Sequence, residues 1–190
     1  IWIACRNGGI WKYSLMTKKW ENLRPMSGRS ALSETDRYFR VYIDRDDNPW
    51  FCSEDSGIFM YDESRMRFIR HSEAEGLPVT TYYGILEDDD GVFWLSSNHG
   101  LIRYDPRSRE ILNLTKEDGL QSNQFNYKSS LKTRDGKLWF GGMNGFNCFF
   151  PKDIYFNRVK PNVMISSVDV HEGDKNTTYS WNDIEKTNGL

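Results

Sequence analysis

Short apolar and aromatic runs, punctuated by Gly, Asp and Asn, make up most of this chain. The pattern is clearest at 119–151, GLQSNQFNYKSSLKTRDGKLWFGGMNGFNCFFP. A turn at Asp135-Gly136 leads into Leu138, Trp139 and Phe140, and a turn at Asn144-Gly145 leads into the run Phe146 to Phe149. Apolar runs set between such turn residues predict strand, turn, strand, turn, strand. The same frame recurs at Asp90-Gly91…Trp94…Gly100-Leu101…Tyr104 and at Asp46-Asp47…Trp50…Gly57-Ile58…Tyr61. A further copy holds Trp2, Gly9-Ile10 and Tyr13, so the tryptophans lie 48, 44 and 45 residues apart. A self-similar period of this length, with four strands in each, predicts an all-β chain of propeller blades, each a four-stranded antiparallel meander.

Aligned on the tryptophan, the copies form columns. The next residue is Ile3, Phe51, Leu95 or Phe140, always large; the two after it are Ala4-Cys5, Cys52-Ser53, Ser96-Ser97 and Gly141-Gly142, always small. Sheets that pack face to face around an axis need bulk at some positions and close backbone approach at others. Cys5 and Cys52 therefore read as small hydrophobes. Trp2, Trp50, Trp94 and Trp139, with Gly57, Gly100 and Gly145, are the structural frame, and the tryptophans are expected between blades.

First strands are expected around Arg40–Ile43, Gly84–Glu87 and Ser129–Lys132, that of the second copy running about Tyr38–Asp44 with the second strand at Trp50–Ser53, and the other copies following by alignment. Third strands are expected at Ile10–Tyr13, Ile58–Tyr61, Leu101–Tyr104 and Phe146–Phe149, and outer strands at Trp20–Leu23, Arg67–Arg70 and Glu110–Leu114. Helix should be nearly absent. The last copy has no fourth strand, and the opening Ile1-Trp2-Ile3 is the middle of a strand whose partner should precede it. The chain thus reads as the last blades of a larger propeller, in a piece of a longer protein. After Pro161 the frame stops. Residues 162–171 read as a longer alternating strand, with Thr177 to Trp181 as its hairpin partner. The division expected is 1–157 for the blades and 158–190 for the start of a second β domain.

Composition narrows the function. Lys+Arg number 25 against 27 Asp+Glu, with no basic block, which gives no support for nucleic acid or an anionic membrane surface. No apolar run approaches the length of a membrane span, and the opening residues do not read as a signal peptide, a start from which compartment is not inferred. Three cysteines without metal-ligand spacing suggest neither a disulfide framework nor a metal centre, and no cofactor is expected.

The frame GLxxY/F…DxDGxxWxxxxxGLxxYDPxxxxxxNLT resembles the two-component regulator propeller repeat. The final copy, followed by KPNVMISSVDV, resembles the last blade of such a propeller and the start of a Tyr-Tyr-Tyr domain, an immunoglobulin-like β-sandwich. Asp47 departs from the pattern where the turn glycine is usual, and must take a left-handed conformation. The resemblance implies the periplasmic region of an inner-membrane sensor from a Bacteroidetes hybrid two-component system. The membrane helix, histidine kinase and DNA-binding output would all lie outside this chain. It also implies an oligosaccharide ligand released from a polysaccharide, a homodimer formed through the following Ig-like domain, and no catalysis by this segment.

In a four-stranded meander, the loops from outer strand to next inner strand and from second to third strand emerge on one face. That face should carry the ligand, because binding is usually built on loops held by a rigid scaffold. Sugar sites combine aromatic platforms with amide and charged groups. On this basis Tyr82, Tyr83, Asn98, His99, Asn123, Tyr127 and Asn144 are the candidate ligand residues, with Arg29, Arg37 and Tyr38 in the longest loop. Asn123 and Asn144 belong equally to the turn framework. The acidic turn at Asp44–Asn48 has Pro49 where a calcium loop needs glycine, and that at Asp88–Asp90 has Val92 at a ligand position and no closing glutamate, so both read as hairpin turns. Glu75 and Asp118 recur at matching positions in two blades, a framework pattern and not that of a unique catalytic pair. Two other classes stand beside the sensor: a protein-interaction scaffold, marked by an apolar loop face, and a sugar-processing enzyme, marked by close carboxylates in a cleft.

Overall fold

A computed structural model describes residues 1–6, 8–23, 37–54, 56–71, 76–78, 80–155, 166–172 and 175–180. The chain divides into two compact units, Ile1–Ile154 and Tyr155–Leu190. Arg29 and Glu75 lie outside the described residues.

The first unit consists of four successive antiparallel sheets, each built from strands adjacent in sequence. Blade 1 holds β1 (Trp2–Cys5), β2 (Gly9–Tyr13) and β3 (Trp20–Asn22). Blade 2 holds β4 (Tyr38–Ile43), β5 (Pro49–Ser53), β6 (Ile58–Asp62) and β7 (Arg67–His71). Blade 3 holds β8 (Tyr82–Glu87), β9 (Phe93–Ser97), β10 (Leu101–Tyr104) and β11 (Ile111–Leu114). Blade 4 holds β12 (Phe125–Lys132), β13 (Leu138–Gly142) and β14 (Gly145–Phe149). Among the described residues the helical elements are two short 3-10 turns, Lys116–Asp118 and Pro151–Asp153. The all-β expectation holds, and the second, third and outer strands fall within a residue of the expected positions. The inner strands start at Tyr38 and Tyr82, as expected, and in blade 4 at Phe125, two residues before the aligned position.

Two local rules repeat through the blades. An aspartate ends the inner strand and organises the hairpin after it. Asp44 Oδ1 accepts from the backbone N–H groups of Asp46 and Asn48, while its Oδ2 accepts from Trp50 Nε1 at 2.8 Å. Asp88 does the same for Asp90, Val92 and Trp94, whose Nε1 lies at 2.9 Å. One carboxylate thus satisfies both a tight turn and the buried indole N–H of the next strand. Asp47 adopts φ 62°, as its place in the frame requires. The second rule is the glycine that opens the third strand: Gly57, Gly100 and Gly145 have φ of 88°, 116° and 115°. At Gly100 a Cβ would also stand 2.1 Å from the Leu114 carbonyl oxygen, so the position excludes a side chain twice over.

The core lies between blades. Trp2 packs edge-on against Phe51 (5.7 Å between ring centroids), Trp50 against Phe93 (4.7 Å) and Trp94 against Phe149 (4.8 Å). Trp50 and Trp94 are buried as expected. Trp139 and Trp2 differ, both being only partly buried. Trp139 packs on Phe146 of its own blade (5.3 Å), and no further sheet covers it among the described residues. Its Nε1 is buried without a partner, because Thr133 stands in the column of Asp44 and Asp88.

The second unit shows one antiparallel hairpin, β15 (Ser167–Glu172) with β16 (Lys175–Ser180). Residues 162–165 of the strand expected there, and Trp181, lie outside the described residues.

Candidate functional site

Strands β4, β8 and β12 are the edge strands of blades 2, 3 and 4 and face one another. A Cβ on Gly84 of β8 would lie 2.8 Å from Ser130 Oγ of β12 and 3.0 Å from Ser96 Oγ. Each inner strand carries a bulge near its start, at the end of the blade where the second-to-third-strand loops emerge. In β4 the register shifts between Tyr38 and Arg40, and in β8 between Tyr82 and Gly84. In β12 it shifts between Phe125 and Ser130, a wider interruption. Counting back to the tryptophan shows the excess. Tyr38 and Tyr82 stand 12 residues before Trp50 and Trp94, whereas Phe125 stands 14 before Trp139.

A bulge re-aims side chains out of the ladder. Here it brings Phe39, Tyr83 and Tyr127 from three different blades into one cluster. Phe39 lies 4.8 Å from Tyr127 between ring centroids, and Tyr83 lies 4.4 Å from it, edge to face. Arg6, from the end of β1, places its guanidinium 5.6 Å from the centre of the Phe39 ring. With Lys128 these residues line a cleft of about 270 Å³. A second opening of about 330 Å³, lined by Trp2, Ile3, Ala4, Phe39, Arg40, Val41 and Lys128, shares Phe39 and Lys128 with it.

The sequence-predicted residues divide between this cleft and the framework. Tyr83 and Tyr127 line the cleft, and Tyr127 is 46 % exposed. Tyr82 is a correction. It is wholly buried in the core with Trp50, Cys52 and Leu77, its hydroxyl donates to the Pro78 carbonyl at 2.8 Å, and burial pushes its ionisation well above the ordinary range. The physical reason is strand alternation: Tyr82 points into the blade, while its neighbour Tyr83 is turned out by the bulge. The amides are turn braces. Asn98 Oδ1 accepts from Thr80 Oγ1 and from the Thr81 N–H at 3.2 Å. Asn123 Oδ1 accepts from the Lys116 N–H at 2.6 Å, and Asn144 donates its backbone N–H to Gln121 Oε1 at 2.7 Å. His99 is exposed, with Nδ1 3.1 Å from Thr80 Oγ1 and its carbonyl accepting from Asn113. Phe39, Arg6, Arg40 and Lys128 were not among the predicted ligand residues.

Other chemistry is structural. Buried His71 places Nδ1 2.8 Å from the Tyr104 hydroxyl, within the core between blades 2 and 3. Cys5, Cys52 and Cys148 are free thiols, and burial pushes Cys52 up to about 12. Among the described residues no group of three or more His, Cys, Asp or Glu could hold a metal ion.

Four blades of this kind, meander by meander around facing inner strands, define a β-propeller segment. Comparison with known proteins agrees. Residues 76–99 match the two component regulator propeller family. A curated relative, histidine kinase P4 of Formosa agariphila, is 32 % identical over 111 residues, which is 58 % of this chain and 8 % of that protein. Among solved structures, the extracellular domain of a protein described as a one component system from B. thetaiotaomicron is similar with a TM-score of 0.63 and 22 % identity, over 94 % of this chain and 26 % of that one. The extracellular domain of a B. thetaiotaomicron hybrid two component system gives 0.61 and 19 %, over 85 % and 20 %. Virginiamycin B lyase from Staphylococcus aureus gives 0.56 and 17 %, over 80 % and 48 %. The chain therefore spans a small part of the curated relative and about a quarter or less of the first two structures.

Proposed function

We propose that this segment belongs to the periplasmic, ligand-sensing region of a hybrid two-component sensor kinase. It binds an oligosaccharide released from a polysaccharide and does not transform it. The observation that carries this reading is the cleft in which three inner-strand bulges gather Phe39, Tyr83 and Tyr127, beside Arg6 and Lys128. Aromatic faces flanked by charged groups are the surface a pyranose ring packs against. The likeness to extracellular sensor domains and to a histidine kinase supports the signalling class. In this reading the unit beginning at Tyr155 opens the Ig-like domain, through which a homodimer forms and ligand-induced rearrangement is relayed towards the membrane. Such relay requires the ligand to prefer one domain arrangement over another.

The likeness to a lyase is a reminder that a propeller is also a scaffold for catalysis, so fold alone does not choose between sensor and enzyme. The described cleft lining supports the sensor reading, because it offers aromatic rings and cations of the kind that hold a sugar. Calorimetric titration of the intact protein with an oligosaccharide panel, with product analysis of each mixture, tests both parts. Binding without turnover is expected. Release of cleaved sugar moves the protein to the enzyme class, and absence of binding across the panel rejects the ligand class.

A further inference from the structure

The cleft is cationic in a chain that is not. Over the whole sequence acidic residues outnumber basic ones, 27 to 25, yet among the described residues the two openings that meet at Phe39 and Lys128 are lined by the cations Arg6, Arg40 and Lys128 and by no carboxylate. Several charges in these blades are paired with one another. Arg45 holds Glu87, Lys132 holds Asp89 and Arg65 holds Asp62. Glu54 lies 4.0 Å from Arg6 and is taken by Arg37 at 2.9 Å. The side chains of Arg40 and Lys128 make no hydrogen bond or ion pair with any described residue.

The backbone points the same way. Lys128 sits on the widest bulge of the inner strands with φ 56°, a left-handed conformation that a lysine adopts only at a cost. Strain held at a cleft, by an insertion that the other blades lack, places the ammonium where an ordinary strand would not put it.

We propose that this cleft recognises the acidic group of an anionic oligosaccharide, a uronate carboxylate or a sulfate ester. Arg40 and Lys128 bind the anion, Arg6 guards the rim, and Phe39 and Tyr127 receive the sugar ring. The inference rests on the oligosaccharide reading above and narrows it to charged sugars. An unpaired cation facing a cleft gains most from an anion whose hydrogen bonds it can complete, and the contact weakens as salt screens it.

The test is calorimetry on the intact protein with three probes of similar length: an oligogalacturonate, a sulfated galactan oligosaccharide without carboxylates and a neutral cello-oligosaccharide, with sodium sulfate as a bare anion. At least one acidic probe is expected to bind, more weakly as sodium chloride rises, and the neutral probe much more weakly. Which acidic probe prevails separates carboxylate from sulfate recognition. Lys128→Gln and Arg40→Gln should each weaken binding by about tenfold or more, and Lys128→Glu by more still. The exposed Lys128 can be changed without loss of the fold, which a thermal melt verifies. Equal binding of the neutral probe, with both cation variants silent, overturns the charge assignment but leaves the sensor reading standing. Acidic binding untouched by Lys128→Glu puts the site elsewhere and overturns the proposal. Sodium sulfate binding as tightly as the oligosaccharides overturns the sugar half, and no binding by any saccharide overturns this proposal and the sensor reading together.

Discussion

Arg45 of blade 2 grips Glu87 of blade 3, Nε to Oε1 at 2.5 Å, and one blade further on the same two positions carry the opposite charges: Asp89 accepts from Lys132 at 2.7 Å. Both pairs lie five and seven residues before successive tryptophans, so they are one interblade clasp written in two polarities. The two clasps differ in depth. The Glu87 side chain is almost wholly buried and also accepts from the Arg45 N–H and the Tyr42 hydroxyl, whereas Asp89 is exposed. Arg45→Met should therefore lower the denaturation midpoint clearly more than Asp89→Asn, since it strands a buried carboxylate while the exposed pair is screened by water. Equal effects in chemical denaturation would show that burial does not set the strength of the clasp.

The aspartate–tryptophan column gives a second expectation in both directions. Asp88→Ala leaves the Trp94 indole and two turn N–H groups without an acceptor and should cost about 2–4 kcal/mol. Trp94→Ala empties the contact with Phe149 and should cost about 3–5 kcal/mol. Thr133→Asp should do the reverse, supplying the orphaned Trp139 Nε1 with the acceptor that Asp44 and Asp88 provide in blades 2 and 3, for a gain of about 0.5–1.5 kcal/mol. The thermal midpoint is the readout, and a destabilised Thr133→Asp would mean that blade 4 closes its hairpin by a different geometry.

Alkaline pH should loosen the blade 2–blade 3 junction. Burial first, and the neighbouring Glu87 charge second, push the Tyr42 phenol up to about 12. A phenol whose pKa is raised on folding keeps its proton in the folded state after the unfolded chain has lost it. Its contribution to stability is therefore full below about 10 and is lost as pH climbs from about 10 towards about 12. Absorbance at 295 nm should show a late-ionising class of tyrosines that loses one member in Tyr42→Phe. That variant should also lose less stability over the same pH window.

The blades were legible because their physics is periodic. Trp50, Trp94, Gly57, Gly100 and the odd Asp47 each meet a demand that recurs every turn of the propeller, so the copies reveal it by alignment. The site was legible only in part, because it is built from departures from that period. Tyr82 and Tyr83 are neighbours of the same type and both are buried, and it takes alternation together with the bulge to set Tyr83 at the wall of the cleft. Lys128 and Tyr127 reach the cleft through a longer bulge that no glycine or proline announces. The available signal was a count, the 14 residues from Phe125 to Trp139 against 12 in the two preceding copies. Phe39, Arg6 and Arg40 come from other blades, and their meeting depends on how the sheets close around their inner edges. Spacing along a chain does not carry that information.

The last expectation concerns the segment by itself. Leu131 and Trp139 of blade 4 occupy the column positions of Leu86 and Trp94 in blade 3. In blade 3 these are packed against the next sheet, with Leu86 only 6 % exposed; in blade 4 Leu131 is 59 % and Phe146 61 % exposed. At the other side β1 is an edge strand, with Ile1 and Ile3 exposed beside the opening that Arg40 lines. An apolar blade face and an unpaired strand edge both promote association. Residues 1–154 produced alone should therefore self-associate with rising concentration in light scattering. The pair Leu131→Lys with Phe146→Lys should reduce that association while leaving the Trp94 fluorescence of the blade 3–blade 4 junction unchanged. A monodisperse wild-type segment that unfolds as one cooperative monomer would show that four blades suffice, and that the exposed face of blade 4 is not a surface made for another blade.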